Sequence, residues 1–141
     1  VFAPVWTLLY ALMGVAVGRI YRISRASSTR ISTVALGTWA VHMLLNLSWA
    51  PIFFGVQRLL LGLMINIAMW VTLVGIILPS FYFLNPLSAY LLLPYLGWLT
   101  FAVALNWSIC RLNPTMEGYN NAKFQAQLTQ LQRRAADYSG L

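Results

Sequence analysis

The sequence predicts an all-α integral membrane protein, a bundle of four transmembrane helices. Of its 141 residues, 60% are hydrophobic and only 8% are charged, and the mean hydropathy is +0.73. A soluble domain of this size carries charge on roughly a quarter of its residues. Four apolar stretches are also long enough to cross about 30 Å of hydrocarbon, which takes around 20 helical residues each.

The four predicted helices are joined by short polar connections. Residues 19–30 contain four Arg, which predicts a solvated loop. Residues 55–58 are predicted to form a polar turn, and Asn85-Pro86 is predicted to end the third helix. Short connections make neighbouring helices antiparallel. The predicted helices cover about residues 2–18, 31–54, 59–83 and 88–110, so a transmembrane domain occupies residues 1–113.

Residues 114–141 differ in composition and form a polar, basic C-terminal tail. Phe124, Leu128 and Leu131 lie at helical spacing, which is typical of a short interfacial helix, and a frayed, solvated tail is the alternative. The net charge of +7 comes from residues between or after the apolar runs. These residues therefore face lipid headgroups, and nucleic acid is not an expected partner.

Polar and aromatic residues recur on single faces of the predicted helices. Trp39, His42, Asn46 and Trp49 share one face of the second helix, and they run through its middle. Because lipid cannot satisfy their hydrogen bonds, such side chains are expected to face the bundle interior. Similar faces are Phe2, Trp6 and Tyr10 in the first helix, Asn66 and Trp70 in the third, and Tyr95, Trp98, Ala102 and Asn106 in the fourth.

Two interpretations of these faces stay open. The amides and the histidine are either interhelical hydrogen-bonding groups, with the aromatics as an interfacial belt, or parts of a cavity wall. Aromatic walls with a few amides would suit a flat, mostly apolar ligand. His42 as an axial haem ligand is a weaker alternative to a packing role.

Several chemistries lack their usual residues. The predicted spans contain no Asp or Glu, which argues against a proton- or cation-coupled carrier. The sequence has no glycine-rich phosphate loop, no paired carboxylates and no Cys/His cluster. We therefore expect no metal site and no obligatory cofactor.

Three segments resemble the translocator protein family, also called the peripheral benzodiazepine receptor or tryptophan-rich sensory protein family (TspO/MBR). They are "VFAPVWTLLYALMG", "LNLSWAPIFFG" and "LPYLGWLTFAVALNWSICRLN", in the family's order and spacing. The resemblance implies a five-helix fold of which these four helices are the second to fifth. It also implies a receptor or translocator for porphyrins, haem, sterols and benzodiazepine-site ligands, with a role in lipid or porphyrin transport.

Position by position, the resemblance implies a ligand pocket contributed by all four helices. Leu61 departs from the Trp that is common there in animal members. The implied lining residues are Phe2, Ala3, Trp6, Asn46, Trp49, Leu61, Met64, Ala68, Trp98, Ala102 and Leu105.

The resemblance also suggests a sterol-recognition pattern, an alternative activity and a location. Leu105, Trp107 and Arg111 occupy the sterol pattern, with Trp in place of Tyr. Trp6 and Trp98 correspond to the tryptophans of a light- and oxygen-dependent porphyrin-degrading enzyme. A structural scaffold is the third possibility. The outer mitochondrial membrane is the expected location, with secretory-pathway and bacterial envelope membranes as alternatives, and a homodimer is an expected assembly.

Overall fold

The computed structural model describes the backbone of residues 2–140, and the side chains of residues 3–114 and 122–140. The described backbone is mostly helical and has no strand. In chain order the helices are α1 Phe2–Ala26, α2 Arg30–Ala50, α3 Leu59–Thr72, α4 Leu78–Leu84, α5 Pro86–Leu91, α6 Leu93–Leu112 and α7 Pro114–Ser139. Two π-helical turns, Pro51–Gly55 and Leu73–Ile77, extend α2 and join α3 to α4.

These helices form four continuous apolar spans. Each has 24 to 27 residues and is long and apolar enough to cross a membrane. The prediction of a helical membrane bundle with four transmembrane helices is therefore confirmed. The spans are Ala3–Ala26, Arg30–Gly55, Leu59–Leu84 and Pro86–Leu112.

The first connection is shorter than predicted, because α1 continues to Ala26 instead of ending near Gly18. Arg is a good helix former, and Ile20 is fully buried in the core, so this segment has a packed face that favours helix. The loop therefore shrinks to Ser27–Thr29. Thr29 then begins α2 with a capping box, in which the Thr29 hydroxyl accepts from the Ser32 amide and the Ser32 hydroxyl accepts from the Thr29 amide.

Each π-helical turn lies beside a proline. Pro51 lacks the N–H that would continue the hydrogen-bond pattern of α2. The turn that follows has the wider π-helical spacing, in which the Val56 amide donates to the Pro51 carbonyl at 3.0 Å. The second turn ends two residues before Pro79, which likewise removes one amide donor from the helix. Both spans stay continuous, because wider hydrogen-bonded turns satisfy backbone groups that lipid cannot.

One side-chain contact fixes the ends of two spans together. Arg19 Nε donates to Asn85 Oδ1 at 3.4 Å, and the same oxygen accepts from the Ser88 amide at the start of α5. The C-terminal part of α1 and the loop before α5 therefore lie at the same end of the bundle. This contact agrees with an up-down order of antiparallel neighbours.

The core is small for the size of the bundle. Met13, Ile20, Leu73, Phe81 and Leu92 are at most 1% exposed, yet only 22–33% of the residues are buried in an apolar 18-residue stretch of each span. The remaining side chains are mostly apolar and point outward. In a bilayer this outer surface faces lipid, where apolar exposure carries no penalty.

Two other surfaces stay open. A Cβ added at Gly14 or at Gly18 would meet no atom within 4 Å, so this small-residue face packs against nothing within the described chain. The tail forms the 26-residue helix α7, longer than the short helix predicted. Phe124, Leu128 and Leu131 are exposed on it, and an interfacial position for α7 stays a prediction.

The antiparallel order predicts opposite membrane sides for the first two connections. Ser28→Cys and Val56→Cys, each in a Cys110→Ser background, should react with a membrane-impermeant maleimide from opposite sides of sealed vesicles. Both positions are exposed, so neither label needs a structural change. Labelling of both cysteines from the same side would contradict the topology.

Candidate functional site

A cavity of about 450 Å³ lies between α2, α3 and α6, with Trp6 of α1 at its wall. This volume falls within the range of small-molecule sites. Apolar and aromatic side chains make up most of its surface, and the polar residues among them are three Asn and one Tyr. The lining residues are Trp6, Asn46, Trp49, Phe53, Phe54, Asn66, Met69, Tyr95, Trp98, Leu99, Phe101, Ala102, Leu105, Asn106 and Ile109.

Two aromatic clusters contribute to the cavity wall. Trp6 and Trp98 meet edge to face with ring centroids 5.8 Å apart, a favourable geometry for aromatic pairs. Trp49 stacks on Phe53 at 5.1 Å, and Phe54 stands edge-on to both rings. Each cluster presents rings to the cavity between them.

The π-helical turn and a glycine position the second cluster. Phe53 lies within the turn Pro51–Gly55, and its ring lies against Gly62 of α3. A Cβ at Gly62 would come within 2.9 Å of Phe53 Cδ2, closer than real side chains approach. Gly62 therefore provides the space that lets the Phe53 ring reach the cavity.

A chain of hydrogen bonds ties all four spans together beside the cavity. The Tyr10 hydroxyl donates to Asn46 Oδ1 at 2.6 Å, and Asn46 Nδ2 donates to the Tyr95 hydroxyl at 3.0 Å. Tyr95 contacts His42 Nε2 at 2.8 Å, and His42 Nδ1 contacts the Thr72 hydroxyl at 3.1 Å. Since Asn46 and Tyr95 also line the cavity, this chain fixes part of its wall.

The donor directions in this chain assign a tautomer to His42. The Thr72 hydroxyl donates to backbone carbonyls of its own helix, so it accepts from His42 Nδ1–H. Nε2 is then an acceptor, and the Tyr95 hydroxyl donates to it. Both ring nitrogens are occupied, so His42 has none free for an iron, which argues against the haem-ligand alternative.

The structure brings together six of the side chains that the resemblance implied for the pocket. They come from α1, α2 and α6, whose inward faces the aromatic spacing had identified. The six are Trp6, Asn46, Trp49, Trp98, Ala102 and Leu105.

The structure does not place the third-helix set in the cavity. Leu61 and Met64 are 39% and 59% exposed, and Ala68 is also exposed. Asn66 and Met69 line the cavity instead. The physical reason is helical phase. Side chains two residues apart differ by about 200° in direction around the helix axis. When Asn66 faces inward, Met64 and Ala68 therefore face outward.

The remaining implied residues of the first helix also differ. Ala3 is exposed and does not line the cavity. The side chain of Phe2 lies outside the described residues. The implied pocket list omitted Asn66, Tyr95 and Asn106, although their polarity within a lipid-spanning helix was a sufficient signal that they point inward.

The residues of the sterol-recognition pattern lie on different surfaces. Leu105 borders the cavity, whereas Trp107 is 54% exposed and borders an outer groove between α3 and α6. In that groove Trp70 Nε1 donates to the Thr100 hydroxyl at 3.0 Å. Arg111 is exposed near the end of α6. The three side chains therefore do not form one recognition surface in this chain.

Metal-binding residues do not cluster in the part of the chain that the structure describes. No group of three or more His, Cys, Asp or Glu side chains comes together there. The cavity offers neutral groups, namely indole and amide N–H, amide C=O and a phenol. Its chemistry is therefore that of binding through aromatic contact and neutral hydrogen bonds.

Four membrane-spanning helices around an aromatic cavity define a polytopic membrane protein with a cavity of small-molecule size. The chain belongs to the TspO/MBR family, whose model matches residues 1–112. This membership supports a membrane receptor or translocator role.

Relatives in distant organisms are similar over the same region. The chain is 34% identical over 113 residues to "Protein CrtK" of Rhodobacter capsulatus, covering 80% of this chain and 69% of the relative. It is 36% identical to "Tryptophan-rich protein TspO" of Chlorobaculum tepidum, covering 80% and 70%. It is 32% identical to "Translocator protein" of Homo sapiens, covering 84% and 69%.

The hydrogen-bonded chain predicts different effects for three identical substitutions. Tyr95→Phe leaves His42 Nε2 and Asn46 Nδ2 without partners, and should lower the free energy of unfolding by about 1–3 kcal/mol. Tyr10→Phe leaves one acceptor at the edge of the network and should cost about 1 kcal/mol or less. Tyr90→Phe, at a 55% exposed residue, is the control and should have little effect. Thermal unfolding in detergent measures all three, and equal midpoints for Tyr95→Phe and Tyr90→Phe would disprove a structural role for the network.

Proposed function

We propose that the protein is a receptor or translocator that binds flat, mostly apolar ligands in the cavity, with tetrapyrroles as the leading class. The observation that carries this proposal is a cavity of about 450 Å³ whose lining includes Trp6, Trp49 and Trp98. Indole faces offer broad stacking surfaces to a planar ring. Porphyrin and haem are the specific candidates that the family resemblance supplies.

Sterols and benzodiazepine-site ligands belong to the same proposal. Both are largely apolar with a few polar atoms, which matches a wall of rings, aliphatic groups and a few amides. We place the sterol in this cavity, because Leu105 borders the cavity whereas Trp107 lies on the outer groove. Transport of lipid or porphyrin would require these ligands to exchange between the cavity and the bilayer.

Location and assembly are also proposals. The relatives come from bacteria, archaea and eukaryotes, a spread that does not select one membrane. We propose the outer mitochondrial membrane, on the similarity of residues 94–106 to eukaryotic members. For a homodimer, the open face at Gly14 and Gly18 would admit a second helix at close range.

Substitutions on α6 should separate the cavity from the outer groove as the ligand site. Trp98→Leu removes a stacking surface, worth about 0.5–1.5 kcal/mol beyond burial, and should weaken protoporphyrin binding. Ala102→Phe should also weaken binding, because it fills the space one turn away. Fluorescence titration with protoporphyrin in nanodiscs measures the dissociation constants.

Trp107→Phe is the matched control, since it changes an indole on the same helix outside the cavity. It should bind protoporphyrin almost as the unmodified protein does. If Trp107→Phe weakened binding while Trp98→Leu and Ala102→Phe did not, the ligand would lie in the outer groove between α3 and α6. The absence of saturable binding to the unmodified protein would leave a structural scaffold as the better account.

An enzymatic alternative is favoured by one specific contact. Trp6 and Trp98 meet at 5.8 Å at the wall of the cavity, so a bound porphyrin could contact both indoles. Under this alternative, illumination of the complex in air should convert protoporphyrin to a new absorbing product. Trp6→Phe and Trp98→Phe should each abolish the product, whereas Trp107→Phe should not. Saturable binding without any product would favour the receptor.

A further inference from the structure

The end of the bundle where α1 stops and α2 starts carries a concentrated positive charge. Four of the nine Lys and Arg residues of the chain lie within residues 19–30. The segments that meet at this end, residues 18–30 and 80–92, contain no Asp or Glu, so they supply no carboxylate to neutralise these arginines. The four are Arg19, Arg22, Arg25 and Arg30.

A small hollow opens at this end between α1 and the loop before α5. Its volume is about 190 Å³, below the range of small-molecule sites, and its lining residues are Arg19, Arg22, Ile23 and Asn85. Arg19 and Arg22 are three residues apart, so they project from neighbouring positions on one face of α1. Two guanidinium groups beside a hollow of this size favour a single small anionic group as its occupant.

Arg19 is held in place beside the hollow. It is half-buried, and its Nε donates to Asn85 Oδ1 at 3.4 Å. The same oxygen accepts from the amide and the hydroxyl of Ser88, at 3.1 and 3.3 Å, and Ser88 is fully buried, so Asn85 is fixed from the protein side. A guanidinium carries five N–H groups, and within the described residues the other four of Arg19 make no hydrogen bond. A donor group fixed in advance loses less freedom when it binds an anion.

Arg22 adds a second cation to the hollow. Its side chain is exposed and makes no hydrogen bond or ion pair in the described part of the chain. Arg25 and Arg30 are also exposed, but they do not line the hollow. Basic residues at the ends of spans attract headgroups wherever they lie, so the hollow is the feature that distinguishes Arg19 and Arg22 from this general attraction.

Exposed tyrosines indicate the depth of the hollow in the bilayer. Tyr21, Tyr82 and Tyr90 are each more than half exposed, and the rings of Tyr82 and Tyr90 meet edge to face at 6.1 Å. Such residues are typical of the interface between hydrocarbon and water. Tyr21 lies two residues after Arg19, and Tyr82 lies three residues before Asn85. The hollow is therefore at the level of the headgroups, where a bilayer holds its phosphates.

We propose that Arg19 and Arg22 bind the phosphate of an anionic phospholipid at this hollow. Guanidinium groups pair with phosphate oxygens through charge-assisted hydrogen bonds, often two at a time. A headgroup with net negative charge compensates two arginines better than a zwitterionic one, whose own ammonium neutralises its phosphate. Ile23 offers an apolar contact to the glycerol end of the lipid. This site is separate from the cavity between α2, α3 and α6 and does not depend on the ligand proposed there.

The test compares two lipids that differ only in the headgroup. Native mass spectrometry of the protein in detergent, titrated with palmitoyl-oleoyl phosphatidylglycerol or with phosphatidylcholine of the same chains, gives a dissociation constant for the first bound lipid. We expect phosphatidylglycerol to bind roughly tenfold more tightly, as charge-assisted hydrogen bonds supply. Glycerol 3-phosphate, a soluble phosphate without chains, should not displace the lipid at equal concentration.

Variants assign the preference to the two arginines of the hollow. Arg19→Gln/Arg22→Gln should bring the ratio of the two dissociation constants close to one. Arg25→Gln/Arg30→Gln is the matched control, because it removes the same two charges from the same end of the bundle outside the hollow. It should leave the ratio almost unchanged.

Each other outcome would overturn the proposal. Equal affinity of the unmodified protein for the two lipids would remove the site, and an equal loss in both double variants would show general charge attraction instead. Displacement by glycerol 3-phosphate at equal concentration would exclude a lipid as the specific occupant. If Arg19→Gln/Arg22→Gln fails to fold, Arg22→Gln compared with Arg25→Gln decides, since neither side chain bonds to another described residue. Arg22→Gln alone should then lower the ratio, and equal ratios in these two variants would refute the assignment.

Discussion

The lack of water in the bilayer core is the constraint on which the rest of this structure depends. Every backbone amide and carbonyl must bond within the protein, so the apolar spans are helical. Where Pro51 or Pro79 removes a donor, a π-helical turn beside the proline keeps the span continuous. The same constraint joins Tyr10, Asn46, Tyr95, His42 and Thr72 into one chain of hydrogen bonds. This chain links the four spans to one another.

Against this rule, the side-chain nitrogens of Asn66 and Asn106 have no hydrogen-bond partner within the described part of the protein. Asn46 also lines the cavity, but both ends of its amide are bonded to tyrosines on other helices. Bonded groups of this kind hold the helices in place.

The sequence predicts much of this architecture because period and polarity act locally. Apolar length gave the four spans, and aromatic spacing gave the inward faces of α2 and α6. On α3, the residue pattern identified the inward face of Asn66, whereas the resemblance implied Leu61, Met64 and Ala68, which are exposed. Two features depended on packing between helices and were not predicted. One is the extension of α1 to Ala26, which requires the core contact of Ile20. The other is the hydrogen bond between Tyr95 and His42, which depends on tertiary packing. The spacing of residues along a helix predicts which face they share but not which residue of another helix they contact.

A cavity of this size is itself an unfavourable feature of the fold. Its lining residues lose dispersion contacts with the atoms that a packed core would supply, and the loss grows with the volume left empty. Small neighbours such as Ala102 and Gly62 maintain the space, Gly62 by letting Phe53 approach α3 and Ala102 by leaving room above Trp98. Larger residues at such positions would fill the space and improve packing. The arrangement therefore trades packing stability for open interior space, and under the proposed function a bound planar molecule would restore the missing dispersion contacts.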